Sequence, residues 1–407
     1  MPRAAGVTRP RAYRLLRGVI AVGATLAGLG AIAATALWSL ARPALGEAPS
    51  GERLARIAQS PQWRDGHFVN PLARQDGPLW RALYAFTSGG SAHRTPDASI
   101  SVTPRHLRDY ASAPASGLRV TWLGHSTLLL EIDGRRVLID PVWGERASPF
   151  AFMGPLRFFA PPLSLAELPP VDAVIISHDH YDHLDVSTVK ALALRGVQWI
   201  VPLGVGAHLE AWGVKAQHVT ELDWWEQTVV QGLTITATPA RHFSGRSLGD
   251  ANRTLWAGWA LAGGAHKVFY SGDTALHEEF DDIGERLGPF DLTMIESGAY
   301  DALWADVHLG PEQAVLAHQL VRGEVLLPVH WGLFDLALHG WTEPMERVLV
   351  AAERAKVRVA TPRPGDMFEP AQVGAPVRWW PPVPWMSAEQ APVHSTGVEA
   401  FRRRAIN

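Results

Sequence analysis

Ser177-His178-Asp179-His180-Tyr181-Asp182-His183 follows directly on the apolar run Ala173-Val174-Ile175-Ile176. Three imidazoles and two carboxylates fall within six residues, a dense set of nitrogen and oxygen donors where a buried strand gives way to a loop. The strand stiffens the start of the loop, and a helix-like stretch over 184–194 stiffens its end. A polar loop whose histidines merely satisfy their neighbours suits one isolated His. It does not suit this density, so the stretch reads as a metal site.

Four later positions repeat the pattern of a polar donor placed just after a run with the character of a buried strand. They are His242 after 233–240, Asp273 in Ser271-Gly272-Asp273-Thr274, His308 in Asp306-Val307-His308-Leu309, and His330 after 324–329. Donors repeated at strand ends imply one shared site at one edge of the sheets. The chain has no cysteine, which removes thiolate ligands, disulfides and Cys nucleophiles together, so a metal here must be held by His, Asp or Glu. A net charge of −3 argues against nucleic-acid steering.

Strand-like runs cover 118–123, 126–132, 136–139, 172–176, 197–201, 233–238, 267–270, 292–295 and 325–328, with Gly124 and the pair Asp133-Gly134 marking turns. Helix candidates are 186–194, 205–212, 276–287, 311–320 with Pro311 in its first turn, and 343–355. Strands and helices mixed over about 240 residues without a repeat suggest one sandwich-like α/β body. No Gly-rich phosphate loop follows any of these strands.

The N-terminal region is of another kind. Arg3, Arg9, Arg11, Arg14 and Arg17 come without one acid, and 18–40 follows as 23 residues with no charge. At about 1.5 Å per residue that run crosses a hydrocarbon core of about 30 Å, so it reads as a membrane-spanning helix. The alternative is a cleaved signal peptide, for which Ala44-Leu45-Gly46 offers small residues, although 23 apolar residues exceed the usual core of such a signal. The arginines before the helix, against Arg42 after it, place the N-terminus in the cytoplasm and the body on the extracytoplasmic side; cleavage would instead give a secreted or periplasmic protein. The expected organisation is a cytoplasmic Arg-rich start and transmembrane anchor over 1–43, a linker over 44–60, a hydrolase domain over 61–369 and a Pro/Trp-rich tail over 370–407. Within the domain, 61–116 reads as a loosely structured lead-in that wraps the body.

His178, His180, Asp182 and His183 match the His-x-His-x-Asp-His pattern of the metallo-β-lactamase fold, and His242, Asp273 and His330 match its later His, Asp and His. Further motifs resemble the branch of N-acyl phosphatidylethanolamine-hydrolysing phospholipase D: Trp122-Leu123-Gly124-His125-Ser126-Thr127, Asp140-Pro141, Ala147-Ser148-Pro149, Met153-Gly154-Pro155, 167–174, 65–70 and His330-Trp331-Gly332. The resemblance covers about residues 60–368. Its superfamily motifs are specific, whereas those of the branch mostly build the fold and metal site rather than a lipid pocket.

The resemblance implies an αβ/βα four-layer sandwich with two zinc ions. One would be held by His178, His180 and His242, the other by Asp182, His183 and His330, with Asp273 bridging and orienting the nucleophile. Iron or manganese also suits an all nitrogen and oxygen site. His308 stands where the branch carries a His beside the substrate phosphate, which implies oxyanion stabilisation or leaving-group protonation. Val307 departs from the Gln that the mammalian pattern of this branch has there, and His125 belongs to a family strand turn that supports the site without binding metal. The reading is a membrane-anchored phosphodiesterase acting on a phospholipid such as N-acyl phosphatidylethanolamine. The alternatives are a metal-dependent hydrolase of a soluble ester, lactone or phosphodiester, and a non-catalytic metal-binding protein on the same fold.

Several aromatic stretches stay open between packing and ligand contact: 150–159 as an apolar lip for acyl chains, Tyr181 as a pocket residue, Trp224-Trp225, and Trp379-Trp380 with Trp385 in the tail. His208 and the other histidines outside strand-end clusters read as surface or core residues.

Overall fold

Leu128, Leu130 and Ile132 join one apolar cluster and Leu129 another; Val137 and Ile139 are parted from Leu138 in the same way, and Ala173 and Ile175 from Val174 and Ile176. Every second residue crosses the sheet, as a strand buried on both faces requires. The computed structural model in which this is seen describes residues 11–75 and 77–404. Arg3 and Arg9 of the basic start lie outside the described residues.

The chain opens with α1 (Arg11–Leu45) and α2 (Gly51–Ile57), the short pair β1 (Trp63–Arg64) and β2 (His67–Phe68), and α3 (Leu79–Ser88). The first large unit holds β3 (Leu118–Gly124), β4 (Thr127–Ile132), β5 (Arg135–Ile139), β6 (Ala173–Ile175), α4 (Val186–Ala193), β7 (Gln198–Pro202), α5 (Val205–Ala211) and β8 (Val219–Leu222). The second holds β9 (Gln227–Val230), β10 (Leu233–Thr238), β11 (Gly258–Ala262), β12 (Lys267–Tyr270), α6 (Glu279–Arg286), β13 (Phe290–Glu296), α7 (Pro311–Leu320), β14 (Gly323–Val329), α8 (Glu343–Ala355) and β15 (Arg358–Val359). After these, β16 (Met367–Phe368) and α9 (Thr396–Arg404) complete the chain.

Among the described residues the strands form two seven-stranded sheets, ordered β16-β3-β4-β5-β6-β7-β8 and β15-β14-β13-β12-β11-β10-β9, beside the β1-β2 hairpin. Each is antiparallel on one side and parallel on the other, the parallel pairs being β5-β6-β7-β8 and β12-β13-β14-β15. One apolar cluster fills the space between the sheets and continues under α6, α7 and α8 through Phe280, Val315 and Val348. The other lies under α4 and α5 through Val189, Leu192 and Leu209. Helices, sheet, sheet and helices make the four layers of the metallo-β-lactamase sandwich.

Two segments are more ordered than a linker and a loose lead-in. Arg53 on α2 pairs with Glu210 at 2.6 Å and Glu221 at 2.8 Å, and Ile57 is fully buried in the main core. Residues 79–88 form a complete helix, α3, started by Pro78 without a side-chain cap. The tail packs on the body: Trp379 lies against Trp331 with ring centroids 5.5 Å apart, and Trp380 is buried. Trp224 is likewise a core residue, its indole N–H donating to Trp256 O at 2.7 Å.

Helix α1 contains Val22–Leu45, 24 residues long and apolar enough to cross a membrane. Its large side chains are bare of protein cover, Leu26, Leu29 and Ile32 among them, the last 69% exposed. Among the described residues its end meets the body, where Ala41 and Ala44 are buried.

Candidate metal centre

The donors gather where strands of both sheets end. His125 follows β3, Asp140 follows β5, the 177–183 loop follows β6, His242 lies just beyond β10, Asp273 beyond β12, Glu296 closes β13 and His330 follows β14. Three of these hold left-handed backbone, His125 at φ 53°, Asp140 at 39° and His330 at 64°, an uncommon conformation that re-aims a side chain at a strand's end.

Two groups of atoms result, sharing one carboxylate. In the first, His178 Nε2 lies 2.8 Å from His180 Nδ1, which is 3.4 Å from His242 Nε2, and both Nε2 atoms are 3.8 Å from Asp273 Oδ2. In the second, Asp182 Oδ2 lies 3.4 Å from His183 Nε2 and 3.3 Å from His330 Nε2, which face Asp273 Oδ2 at 3.2 and 2.9 Å. All seven positions picked from the sequence meet here, with Asp273 between the two groups.

The outer ring nitrogens are held by the protein, which turns the inner ones to the centre. His183 Nδ1 lies 2.7 Å from Asp140 Oδ2, His178 Nδ1 2.9 Å from Ser177 Oγ, and His242 Nδ1 3.0 Å from Val307 O. Asp140, fully buried, also accepts from Ser177 N at 2.7 Å and from the Tyr270 hydroxyl. His125 Nε2 sits 2.9 Å from Asp182 Oδ2, so it steadies a carboxylate and stays behind it; burial and the nearby His330 push its pKa down to about 3.

The residues fit a pair of divalent cations on two observations. His183 Nε2 and Asp273 Oδ1 are buried with no hydrogen-bond partner, a costly arrangement unless something else engages them. The charges agree: against the effect of burial, Asp273 and Asp182 hold His183 well above its ordinary value and His330 at about 10. Positive charge is thus favoured between the two carboxylates, while burial pushes His178, His180 and His242 below the ordinary imidazole range. Neutral imidazoles with two carboxylates suit divalent metals.

His308 stands beside the pair, with Nδ1 2.7 Å from Glu296 Oε2 and 3.9 Å from Asp273 Oδ2; burial lowers its pKa to about 4. Glu296 is fully buried, and burial with the adjacent Asp273 raises it well above the carboxylate range. Its other oxygen accepts from Thr274 N and, at 3.2 Å, from Leu309 N. Sequence reasoning misses Glu296 and leaves Asp140 as a motif residue, yet each stands at the end of a buried strand.

A cleft of about 450 Å³ opens over this floor. His180, Asp182, Asp273, His308 and His330 line its base; Phe86, Phe243, Leu303, Trp304, Val307 and Leu336 line its sides, with Arg74 stacked 4.6 Å over the Phe243 ring. None of residues 150–159 lines it, so the apolar wall is built elsewhere than at the expected lip. Tyr181 turns away too, its hydroxyl donating to Arg246 O.

The description of a β-lactamase superfamily domain matches residues 135–331, which include every donor named above except His125. An uncharacterized protein of Mycobacterium tuberculosis, Rv0906, is 46% identical over 386 residues, 91% of this chain and 99% of the relative. N-acyl-phosphatidylethanolamine-hydrolyzing phospholipase D 1 of Caenorhabditis elegans is 42% identical over 57% of this chain and 69% of its own length. The mitochondrial N-acyl-phosphatidylethanolamine-hydrolyzing phospholipase D of Saccharomyces cerevisiae is 33% identical over 57% of this chain and 51% of its own. The chain therefore belongs to the metallo-β-lactamase superfamily of metal-dependent hydrolases, with the N-acyl-phosphatidylethanolamine-hydrolysing phospholipases D among its relatives.

Proposed function

We propose that the protein is a membrane-anchored dinuclear zinc hydrolase of phospholipid phosphodiesters, with N-acyl phosphatidylethanolamine as the substrate class to test. The observation that carries this is the cleft, whose donor floor lies directly under walls of Phe86, Phe243, Leu303 and Trp304. A charged phosphodiester requires the first and its acyl chains the second. Helix α3 extends the apolar surface outward, with Trp80 65% and Tyr84 67% exposed, and α1 suits a bilayer in length and composition. The relatives named for this lipid support the same choice.

Two zinc ions bound by His178, His180 and His242, by Asp182, His183 and His330, and by Asp273 in common would supply a water of lowered pKa and stabilise charge on a substrate oxygen. The chain's own groups do the rest. Asp273 Oδ1, buried and without a partner, accepts a hydrogen bond from the attacking water and orients it. His308, tied through Nδ1 to Glu296, offers Nε2 to the phosphoryl or leaving oxygen. Arg74 adds positive charge at the wall, while Val307 presents only methyl groups, so the phosphate is met by His308 and Arg74. Water attacks phosphorus, the bond to the N-acyl ethanolamine oxygen breaks, that oxygen takes a proton, and phosphatidic acid remains. The arginines before the uncharged run 18–40 orient the N-terminus to the cytoplasm and the cleft to the other side.

The test is hydrolysis of N-acyl phosphatidylethanolamine in mixed micelles by the full chain with its metals counted. Release of phosphatidic acid and an N-acyl ethanolamine is the expected result. A chain carrying two metals that leaves this lipid intact while cleaving small esters or lactones would contradict the lipid assignment.

A further inference from the structure

The end of the anchor helix and the back of the metal loop are tied to the same two side chains. Arg246, 4% exposed, donates from Nε to Ala44 O in the last turn of α1 at 2.9 Å, and from Nη1 to Asp179 O and, at 2.9 Å, to Leu184 O. His208, also buried, receives the Glu47 N–H on Nδ1 at 3.2 Å, which leaves its proton on Nε2, and Nε2 faces Asp179 Oδ2 at 3.4 Å. Trp212 closes the seat, its indole N–H donating to Pro43 O at 2.9 Å while its ring lies 5.0 Å from the Arg246 guanidinium.

Asp179 is the residue between His178 and His180, and it points away from the metals. Its carboxylate accepts from Gly245 N and Thr254 Oγ1, both at 2.8 Å. The loop's outward side is thus fastened to the protein, and two of the side chains that face it, Arg246 and His208, are themselves held by backbone of residues 43–47. Gly46 makes the approach possible: it has φ 73°, and a Cβ there would overlap His208 Nδ1.

We infer that residues 43–47, the end of the anchor helix and the turn after it, are a structural part of the metal centre, with Arg246 and His208 as positioning residues that transmit their seating to the 178–184 loop. Removing that seat leaves a buried guanidinium N–H and a buried imidazole nitrogen without partners, and their rearrangement frees Asp179 and loosens the histidines on either side. The same contacts bury Ala44 and half-bury Leu45 and Gly46 of the cleavage candidate. The proposal rests on the reading of 178–183 as a metal loop.

Its test uses the full chain in detergent micelles and two variants outside the donor set. Gly46→Val wedges the seat open, and Trp212→Phe removes the Pro43 bond while keeping a ring against Arg246; Thr35→Ala, on the exposed part of α1, is the control. Bound metal is counted after graded chelator, and amide exchange over 178–184 is followed in the metal-free chain. Gly46→Val is expected to lower the chelator concentration that strips half the metal by about tenfold, the lower end of the effect of removing partners behind metal ligands. Trp212→Phe is expected to lower it less, and exchange over 178–184 should quicken in both. Stripping midpoints and exchange equal to the control in every variant that folds would overturn the proposal, as would a mature N-terminus near residue 47. A parent chain that holds no metal defeats the metal reading separately, and the exchange comparison then decides this proposal alone.

Discussion

The floor and the wall of the cleft are built in opposite ways. In the floor, His178, His183 and His242 each have an outer nitrogen held by Ser177, Asp140 or Val307, Asp182 is backed by His125, and nearly all of it is buried. In the wall, α3 and the residues just before it meet the 299–307 segment through Gly77 N to Leu303 O at 2.8 Å and through Phe86 stacked on Trp304 at 5.8 Å, while Trp80 and Tyr84 face outward. A metal site needs donors fixed within fractions of an ångström, so its supports must be dense. A surface for acyl chains needs only apolar area, which tolerates a looser frame. Chemistry and substrate choice therefore reside in different parts of the cleft and should fail separately.

The sharpest break is Asp273→Ala, which removes the carboxylate common to both groups of donors. Turnover is expected to fall by at least about 10³-fold and bound metal by about half or more, read by metal counting beside the assay. His308→Asn keeps all seven donors, so kcat should fall by about 10²-fold with metal content unchanged. Metal loss in that variant would move His308 from the substrate to the metal. Asp140→Asn leaves the donors in place but weakens the hold on His183 and Ser177, and metal affinity should drop by about 10- to 100-fold in chelator competition. Smallest of the four, Trp304→Ala should raise KM for a long-chain lipid several-fold, corresponding to about 1 kcal/mol of apolar contact, and leave a short soluble ester unaffected. Equal losses on both substrates would mean that the wall supports the floor and does not select acyl chains.

The same contrast decides what the sequence reveals. The floor is legible because its donors stand just after buried apolar runs, and 178–183 concentrates four of them in one loop. Applied to single carboxylates, the rule also finds Asp140 after β5 and Glu296 at the end of β13, which nothing local in the chain sets apart from other acids beside strands. His208 and Arg246 carry no local mark at all, since their meaning comes from backbone 161 to 202 residues away in sequence.

The wall is less legible. Its residues come from α3, from Phe243, from 299–307 and from Leu336, and proximity between such segments is a property of the fold. Helix α3 lacks the polar cap that announces a helix start, and β11, apolar on both faces, shows no alternation. The stretch 150–159 is aromatic enough to pass for a lip, yet Phe158 donates its N–H to Leu333 O and Phe159 packs into a small satellite core with Val142 and Phe334.

The measurement that bears most directly on the central claim is a zinc titration of the metal-free full chain, following hydrolysis of N-acyl phosphatidylethanolamine at each addition. Activity is expected to rise with added metal and to saturate at two equivalents per chain, with the Asp273→Ala variant inactive throughout. Saturation at one equivalent, or turnover that does not depend on metal, would contradict a centre built from two groups of donors around one shared carboxylate.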